Sequence, residues 1–177
     1  GVAYIKGLQG TGKERFDKNH ILACTKHFVA DGEPMAGDNG AAMDVSDYNL
    51  HNIHLYPFRK AIEEAQVSGI MPAHHLLNGI PCHVNKHIMI DILRNEYKWD
   101  GLVVSDNHDL TRLHNLFFYA KDPVDAALKS LEAGVHQELE LAIKYDNRIY
   151  GQSLVAAIKN GQIPIKLIDE AVAANLR

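Results

Sequence analysis

The chain has 177 residues, of which 46% are hydrophobic and 23% are charged, as in one ordinary globular unit. A formal net charge of −4 provides neither the basic surface that binds nucleic acid nor a polybasic membrane patch. No apolar run approaches the roughly 20 residues that span a bilayer, so we expect neither nucleic acid nor a membrane among the partners.

Strands and helices are predicted to alternate along the chain. In chain order, the predicted elements are a strand at 21–25, a helix at 44–65, a strand at 69–73, a helix at 85–97, a strand at 102–106, helices at 109–118 and 123–133, a strand at 134–138, and helices at 151–160 and 166–176. The third strand is the clearest, because Leu102-Val103-Val104 is a continuous apolar run that fits a strand covered on both faces.

Capping residues and apolar positions support the helices. Asp44 or Ser46 can cap the first long helix, Asn85 can cap the second, and Asp122 precedes Pro123, a favoured first helical residue. The side chains that we expect to face inward on the first two long helices are Leu50, Ile53, Tyr56, Phe58 and Ile62, followed by Ile88, Ile92 and Leu93.

The alternation predicts an α/β fold with a parallel sheet and crossover helices. Only four strands are evident, whereas a closed (β/α)8 barrel needs about 250 residues. We therefore predict half of a (β/α)8 TIM-type barrel with about four parallel strands, and treat residues 1–177 as a single partial catalytic domain. The chain starts at Gly1 without a signal-peptide pattern, so we expect a fragment or a processed piece.

Two motifs indicate other chemistry but are incomplete. Residues 7–13 space their glycines and lysine like a phosphate-binding loop, but Glu14 stands where a magnesium-binding Ser or Thr is required. Several histidines occur in close pairs, such as His83 with His87, and a pair at this spacing can share a helix face and bind zinc. Since no third ligand can be chosen from the sequence, we predict no metal and leave a metal-dependent hydrolase as the weakest alternative.

Three predicted strand ends carry side chains that suit a sugar site. Lys26 and His27 follow the first strand, Met71 to His75 close the second, and Asp106 closes the third. Parallel strands end at one rim, where barrel enzymes carry their catalytic residues. Lysine and histidine donate to sugar hydroxyls, and a nearby positive charge keeps a carboxylate ionised. Two simpler interpretations stay open: Asp106 caps the next helix, and Lys26 and His27 form a structural ion pair.

A series of short motifs follows the same strand ends and the helices between them. The segments are Lys26-His27-Phe28-Val29-Ala30-Asp31-Gly32-Glu33-Pro34, Leu55-Tyr56-Pro57-Phe58, Ile70-Met71-Pro72, Asn78-Gly79-Ile80-Pro81-Cys82-His83, Ile92-Leu93-Arg94, Trp99-Asp100-Gly101-Leu102-Val103-Val104-Ser105-Asp106, Ala133-Gly134-Val135 and Ile168-Asp169-Glu170-Ala171-Val172. This ordered set resembles glycoside hydrolase family 3 and covers nearly the whole chain.

The resemblance implies the C-terminal half, strands five to eight, of the family's (β/α)8 catalytic domain. Asp106 matches the catalytic nucleophile, and Lys26 and His27 match residues that bind sugar hydroxyls. We place Met71 and His74 in the same substrate-binding group. The family hydrolyses β-linked glucosides, xylosides and related sugars from the non-reducing end with retention, and uses neither a metal nor an organic cofactor.

The expected partner is therefore a β-linked oligosaccharide or glucoside. In the β-glucosidase branches the acid/base lies in a second domain after the barrel, so the resemblance implies flanking domains and little activity of the isolated chain. Three departures leave the substrate open: Asn107 where an aromatic residue is usual, Ala73-His74 for Ser-Tyr, and His136 for Asp. The alternative function is an inactive half-barrel that binds a partner or closes an eight-stranded barrel as a homodimer.

Overall fold

The computed structural model describes residues 1–140 and 148–177. Its strands are β1 (Cys24–Phe28), β2 (Gly69–Pro72), β3 (Leu76–Leu77), β4 (Ile80–Pro81) and β5 (Leu102–Val103). Its α-helices are α1 (Val2–Gln9), α2 (Asp47–Asn49), α3 (Tyr56–Ala65), α4 (Asp109–Asn115), α5 (Pro123–Glu132), α6 (Gln152–Lys159) and α7 (Ile165–Leu176). The other helical segments in this part of the chain are the π-helices Leu50–His54 and His87–Glu96 and the 3-10 helices Gly12–Glu14, Met35–Gly37 and Cys82–Val84.

The strands β1, β2 and β5 form a parallel sheet in that order, with helices in the connections between them. Ile70 of the middle strand pairs with Thr25 on one side and with Val103 on the other, and both Ile70 and Val103 are fully buried. Because the three strands run in one direction, their carboxyl ends meet at one rim. The predicted parallel α/β fold is confirmed, whereas the antiparallel hairpin of β3 and β4 was not predicted.

The first strand is displaced from its predicted position. It begins at Cys24, and the predicted strand residues Ile21 and Leu22 are 63% and 62% exposed. The Gln9 side chain, at the end of α1, accepts the Ala23 N–H at 3.2 Å. The segment before Cys24 is therefore held by α1, and sheet pairing starts only afterwards.

The predicted fourth strand is wrong in extent, because it is reduced to a parallel bridge between Val104 and Gln137. The Ser105 N–H donates to the Gln137 carbonyl at 2.8 Å, and the His136 N–H donates to the Val103 carbonyl at 2.9 Å. The His136 ring accepts the Val103 N–H through Nδ1 at 3.1 Å. The segment thus lies beside β5 in parallel register, but an imidazole replaces a carbonyl as one acceptor.

The first long helix of the prediction is broken into α2, a π-helix and α3. Ser46, one of its two predicted caps, accepts a backbone N–H at 3.3 Å through its hydroxyl. Leu50 and Ile62 are buried as predicted, but Ile53 and Tyr56 are 56% and 48% exposed. A π-helical turn holds more residues than an α-helical turn, so the side chains that follow it leave the expected face.

The remaining helices lie close to their predicted positions. The predicted inward residues of the second long helix, Ile88, Ile92 and Leu93, are buried, and Asn85 accepts the Ile88 N–H at 3.5 Å. Asp122 caps α5 by accepting a backbone N–H at 2.8 Å. Within the described residues, no helix is both long and apolar enough to cross a bilayer.

The single tryptophan packs at the amino-terminal end of β5. Trp99 is 7% exposed, and its indole N–H donates to the Val67 carbonyl at 2.7 Å. The Arg94 guanidinium lies 4.8 Å from the centroid of the ring. Gly101 has no room for a side chain, since a Cβ there would lie 2.3 Å from a ring carbon of Trp99. This end of the sheet is therefore closely packed.

Candidate active site

Asp106 lies at the rim, just after β5, and brings two imidazoles together. The residue is 7% exposed, and its Oδ2 lies 3.0 Å from His27 Nε2 and 3.1 Å from His74 Nε2. His27 belongs to β1 and His74 follows β2, so the three side chains come from three neighbouring strand ends. The structure thus joins these three of the five predicted site residues.

Two further carboxylates hold the outer nitrogens of these imidazoles. His27 Nδ1 lies 2.8 Å from Asp31 Oδ2, and His74 Nδ1 lies 2.8 Å from Asp109 Oδ2. Because an ionised carboxylate only accepts hydrogen bonds, each Nδ1 carries the proton. The two rings are stacked with centroids 5.8 Å apart, and both present Nε2 to Asp106.

The backbone of Asp106 has its own partner. His83 Nε2 accepts the Asp106 N–H at 3.0 Å, and the Asn107 N–H donates to Asp106 Oδ1 at 2.7 Å. Oδ2 is buried, and its imidazole contacts lack regular hydrogen-bond geometry. One carboxylate oxygen is thus anchored by the main chain, and the other faces only side chains.

The histidines of the cluster differ in their preferred charge. The hydrogen bond to Asp109 raises the pKa of His74 above its usual range, although burial opposes this effect. Burial lowers the pKa of His83 and of His75, and His75 is 1% exposed. The site therefore combines an imidazole that favours the protonated form with two that favour the neutral form.

Lys26 and Met71, the other two predicted site residues, lie near the rim without touching the carboxylate. Lys26 is exposed on β1, directly before His27, and Met71 is half-buried on β2. Within residues 1–140 and 148–177, no hydrogen bond or ion pair joins either side chain to Asp106. Any contribution of these two residues to binding must therefore be made directly to a ligand.

A cleft of about 630 Å³ runs beside β1, between that strand and helices α1 and α3. Lys26, His27 and Asp31 line it together with apolar side chains such as Ile5 and Phe58. The cleft is centred on the outer edge of β1 and does not include Asp106. It joins the cluster through His27 and Asp31, which belong to both.

Sequence reasoning missed three members of the cluster: Asp31, His83 and Asp109. Asp31 and His83 lie in segments that carry the family resemblance, so their positions were available although no role was assigned. Asp109 stands in the first turn of α4, where an acidic residue is common because it suits the helix dipole. Its burial, with 1% exposure, becomes evident only in the folded chain.

The cluster is rich in imidazoles and carboxylates, which also bind metals. Among the residues that the structure describes, however, no three His, Cys, Asp or Glu side chains are arranged to hold a metal ion. The imidazoles are oriented toward carboxylates and a backbone N–H instead. The arrangement therefore fits a site centred on the buried carboxylate of Asp106, whose orientation and charge depend on the surrounding imidazoles.

The whole chain, residues 1–177, matches the family described as glycosyl hydrolase family 3 N terminal domain. The chain belongs to glycoside hydrolase family 3. A β-xylosidase of Formosa agariphila is 42% identical over 175 residues, which are 98% of this chain and 24% of the relative. A periplasmic β-glucosidase of Salmonella typhimurium is 30% identical over 173 residues, 97% of this chain and 21% of that protein. This chain therefore spans about a quarter or less of the length of these family 3 relatives.

Solved structures of similar proteins agree with the family 3 fold. A β-glucosidase from Erythrobacter marinus, 33% identical, has a TM-score of 0.89 over 97% of this chain and 22% of its own. A β-glucosidase from Listeria innocua in complex with glucose, 31% identical, has a TM-score of 0.82 over 97% of this chain and 23% of its own. The N-terminal domain of the family is a TIM-type barrel, so the prediction of half a (β/α)8 barrel is confirmed.

Proposed function

We propose that these 177 residues are part of a longer, retaining, exo-acting β-glycosidase, in which they form barrel strands five to eight. The observation that carries the proposal is the position of Asp106. Its carboxylate stands at the carboxyl end of a parallel strand, with Oδ2 directed toward His27 and His74 instead of backbone amides. In barrels of this type the catalytic groups lie at that end of the sheet.

Asp106 is the nucleophile in the proposed reaction. A carboxylate oxygen of Asp106 forms a bond to the anomeric carbon, while the bond from that carbon to the glycosidic oxygen breaks. The departing oxygen takes the bonding electrons and a proton from an acid that we place in the rest of the longer enzyme. Water then releases the sugar from the glycosyl-enzyme with the original configuration, and the two carboxyl groups of such enzymes are about 5–5.5 Å apart.

The other predicted site residues are assigned to sugar binding. Lys26 is exposed at the rim and can donate to a hydroxyl as an ammonium group. Asp31 and Asp109 hold His27 and His74 through Nδ1, so we assign the contact with a sugar hydroxyl to the Nε2 atom of each ring, which lies beside Asp106 Oδ2. Met71 provides an apolar contact beside them.

The substrate class is proposed as β-linked xylosides or glucosides. The relatives described above are named as a β-xylosidase and as β-glucosidases. A xylosyl ring differs from a glucosyl ring only in lacking the C6 hydroxymethyl group, so both rings carry the same hydroxyl groups at C2, C3 and C4. Asn107 directly follows the nucleophile and has a small polar side chain. In our proposal this side chain contacts the bound sugar. The experiment that tests the nucleophile therefore uses a glucoside and a xyloside side by side.

Covalent trapping tests the proposal without the missing acid. The chain is incubated with 2,4-dinitrophenyl 2-deoxy-2-fluoro-β-glucoside or with the corresponding xyloside, and its intact mass is measured. Dinitrophenolate leaves without protonation, so a competent nucleophile needs no general acid in the first step. We expect one added 2-fluoroglycosyl group, and peptide mapping should locate it on Asp106.

Two variants make the result specific. Asp106→Asn should fold normally and take no label, whereas Asp100→Asn should be labelled like the unaltered chain. Asp100 is a matched control because it stands before β5, at the opposite end of the strand, with 85% of its side chain exposed. A label on any residue other than Asp106, or loss of folding in Asp106→Asn, contradicts the catalytic assignment. An unlabelled chain that light scattering shows to be a dimer supports the self-associating half-barrel instead.

A further inference from the structure

Asp109 is a buried carboxylate close to Asp106, and the proposed function uses it only to hold the ring of His74. It begins α4 and is 1% exposed. Its Oδ2 lies 2.8 Å from His74 Nδ1 and 3.4 Å from His83 Nδ1. Its Oδ1 accepts a hydrogen bond from Arg112 Nη1 at 3.1 Å. A buried charge requires such partners, and two of these partners are the imidazoles that contact Asp106.

We propose that Asp109 is a positioning residue for the nucleophile. It fixes His74 and His83 so that one imidazole faces the carboxylate of Asp106 and the other holds the Asp106 backbone. The inference rests on the proposed function, because it concerns a residue that supports the nucleophile assigned above. Asp109 acts through the two histidines and not by contact with the reacting carbon.

The geometry allows His83 a single tautomer. Its Nε2 lies 3.0 Å from the backbone nitrogen of Asp106, whose N–H can only donate, so this Nε2 has no proton. Burial lowers the pKa of His83 and keeps the ring neutral, which places its one proton on Nδ1. Nδ1 is the nitrogen that faces Asp109. The carboxylate therefore selects the tautomer that can accept the Asp106 N–H.

The geometry also orients His74. Its Nδ1 is within 2.9 Å of both Asp109 oxygens, which requires a proton on this nitrogen. Arg112 Nη1 is 3.3 Å from the same nitrogen, but both atoms carry protons, so the guanidinium is held by Asp109 and not by the ring. His74 Nε2 is left facing Asp106 Oδ2 at 3.1 Å.

The charge of His74 follows from its surroundings. The charged or titratable groups that face it are Asp109 and Arg112 on α4, Asp106 after β5, His27 on β1 and, behind Asp109, His83. The hydrogen bond to Asp109 raises the pKa of His74, while burial and Arg112 oppose the rise. A protonated ring places a positive charge beside Asp106 Oδ2 and attracts the carboxylate, whereas a neutral ring places a lone pair there and repels the carboxylate from that position. Labelling of the nucleophile should therefore slow as the pH rises through this raised pKa.

The pH profile of labelling in Asp109→Asn tests the proposal. With the 2-fluoroglycosides described above, we expect labelling to be roughly tenfold slower, which corresponds to the loss of one charge-assisted hydrogen bond. The basic limb of the profile is the pH range in which labelling slows as the pH rises. This limb should move to lower pH in Asp109→Asn, because the carboxylate that raises the pKa of His74 is gone. Asp91→Asn is the matched control, since Asp91 also pairs with a histidine, His87, at 3.6 Å, but on the surface. Its rate and limb should be unchanged.

A second variant and a direct measurement keep the test valid if Asp109→Asn does not fold. His74→Gln should remove the basic limb while Asp109 is intact. Nitrogen–proton NMR of the unaltered chain, assigned with His74→Gln and His83→Gln, reports the tautomers without any loss of function. We expect His83 to be protonated on Nδ1 alone and His74 to titrate above the usual range for histidine.

Each outcome has a distinct meaning. An unchanged rate and basic limb in folded Asp109→Asn, or a proton on Nε2 of His83, would overturn the positioning role. A basic limb that persists in His74→Gln also contradicts it. If the unaltered chain takes no label, the proposed function fails, and the NMR measurement still decides whether Asp109 fixes the two rings.

Discussion

Gln9 offers a direct test of how α1 is joined to the sheet. Its side chain is 0% exposed, and Oε1 accepts both the Ala23 N–H at 3.2 Å and the Ser68 N–H at 3.0 Å. Its Nε2 donates to the Gln66 carbonyl at 3.1 Å. The side-chain amide of this one residue thus binds the backbone just before β1 and just before β2. The perturbation that removes these bonds with little change in volume is Gln9→Leu.

The expected loss of stability follows from the groups left without partners. An unsatisfied buried donor costs about 1–3 kcal/mol, so the two N–H groups together give about 2–6 kcal/mol. The Gln66 carbonyl keeps the Arg15 guanidinium as a donor at 2.8 Å and adds little to the loss. Because the bond to Ser68 is only partly buried, we expect a value in the lower half of the range, about 3 kcal/mol.

Urea unfolding followed by far-UV circular dichroism measures this difference. The matched control is Gln152→Leu, because Gln152 is exposed at the start of α6 and its substitution should change the free energy of unfolding by less than about 0.5 kcal/mol. A loss below about 1 kcal/mol in Gln9→Leu would refute the reasoning, since the two backbone N–H groups would then have other partners.

Two further predictions concern the sheet. Gly101→Ala should lower the free energy of unfolding by about 1–3 kcal/mol, because its Cβ would lie 2.3 Å from a ring carbon of Trp99. In the same urea titration, Gly7→Ala should raise the free energy of unfolding by up to about 1 kcal/mol, because Gly7 has open space around it in α1. Burial lowers the pKa of His136 from 6.5 to about 4, so the unfolded chain binds the proton first and stability falls as the pH drops between these values. In His136→Asn, which retains an acceptor for the Val103 N–H, this fall should be smaller; an equal pH dependence in both proteins would contradict the assignment.

The three strands of the site could be predicted to within about three residues, because a short apolar run followed by polar residues is typical of a buried strand and the loop after it. The apolar run before Asp106 correctly located β5, although the strand ends at Val103 and the predicted residues 104–106 lie beyond it. The predicted strand at 21–25 is displaced by three residues at both ends, since β1 covers Cys24–Phe28, yet His27 still lies next to its carboxyl end. His74 was placed at the rim because it is the second residue after a short apolar strand, which ends at Pro72. Parallel pairing then brings the three side chains together whatever the exact strand lengths.

The remainder of the cluster depends on packing between distant segments. Asp109 is 35 residues from His74 in sequence, and a first-turn acid gives no sign of burial. The role of His83 requires its ring to meet the backbone of Asp106, a contact that no local pattern encodes. Ile21 is apolar and β-branched, which favours a strand, yet tertiary contacts with α1 override that preference.

The location of the lone indole decides which measurements can detect a bound sugar. Trp99 packs before β5, whereas Asp106 follows the opposite end of that strand. Its emission therefore reports the integrity of the sheet and is insensitive to a pyranose at the rim. Binding of a sugar should be followed by calorimetry or by the NMR signals of the imidazoles. Tryptophan fluorescence can then be used to monitor folding, because a sugar bound at the rim does not change it.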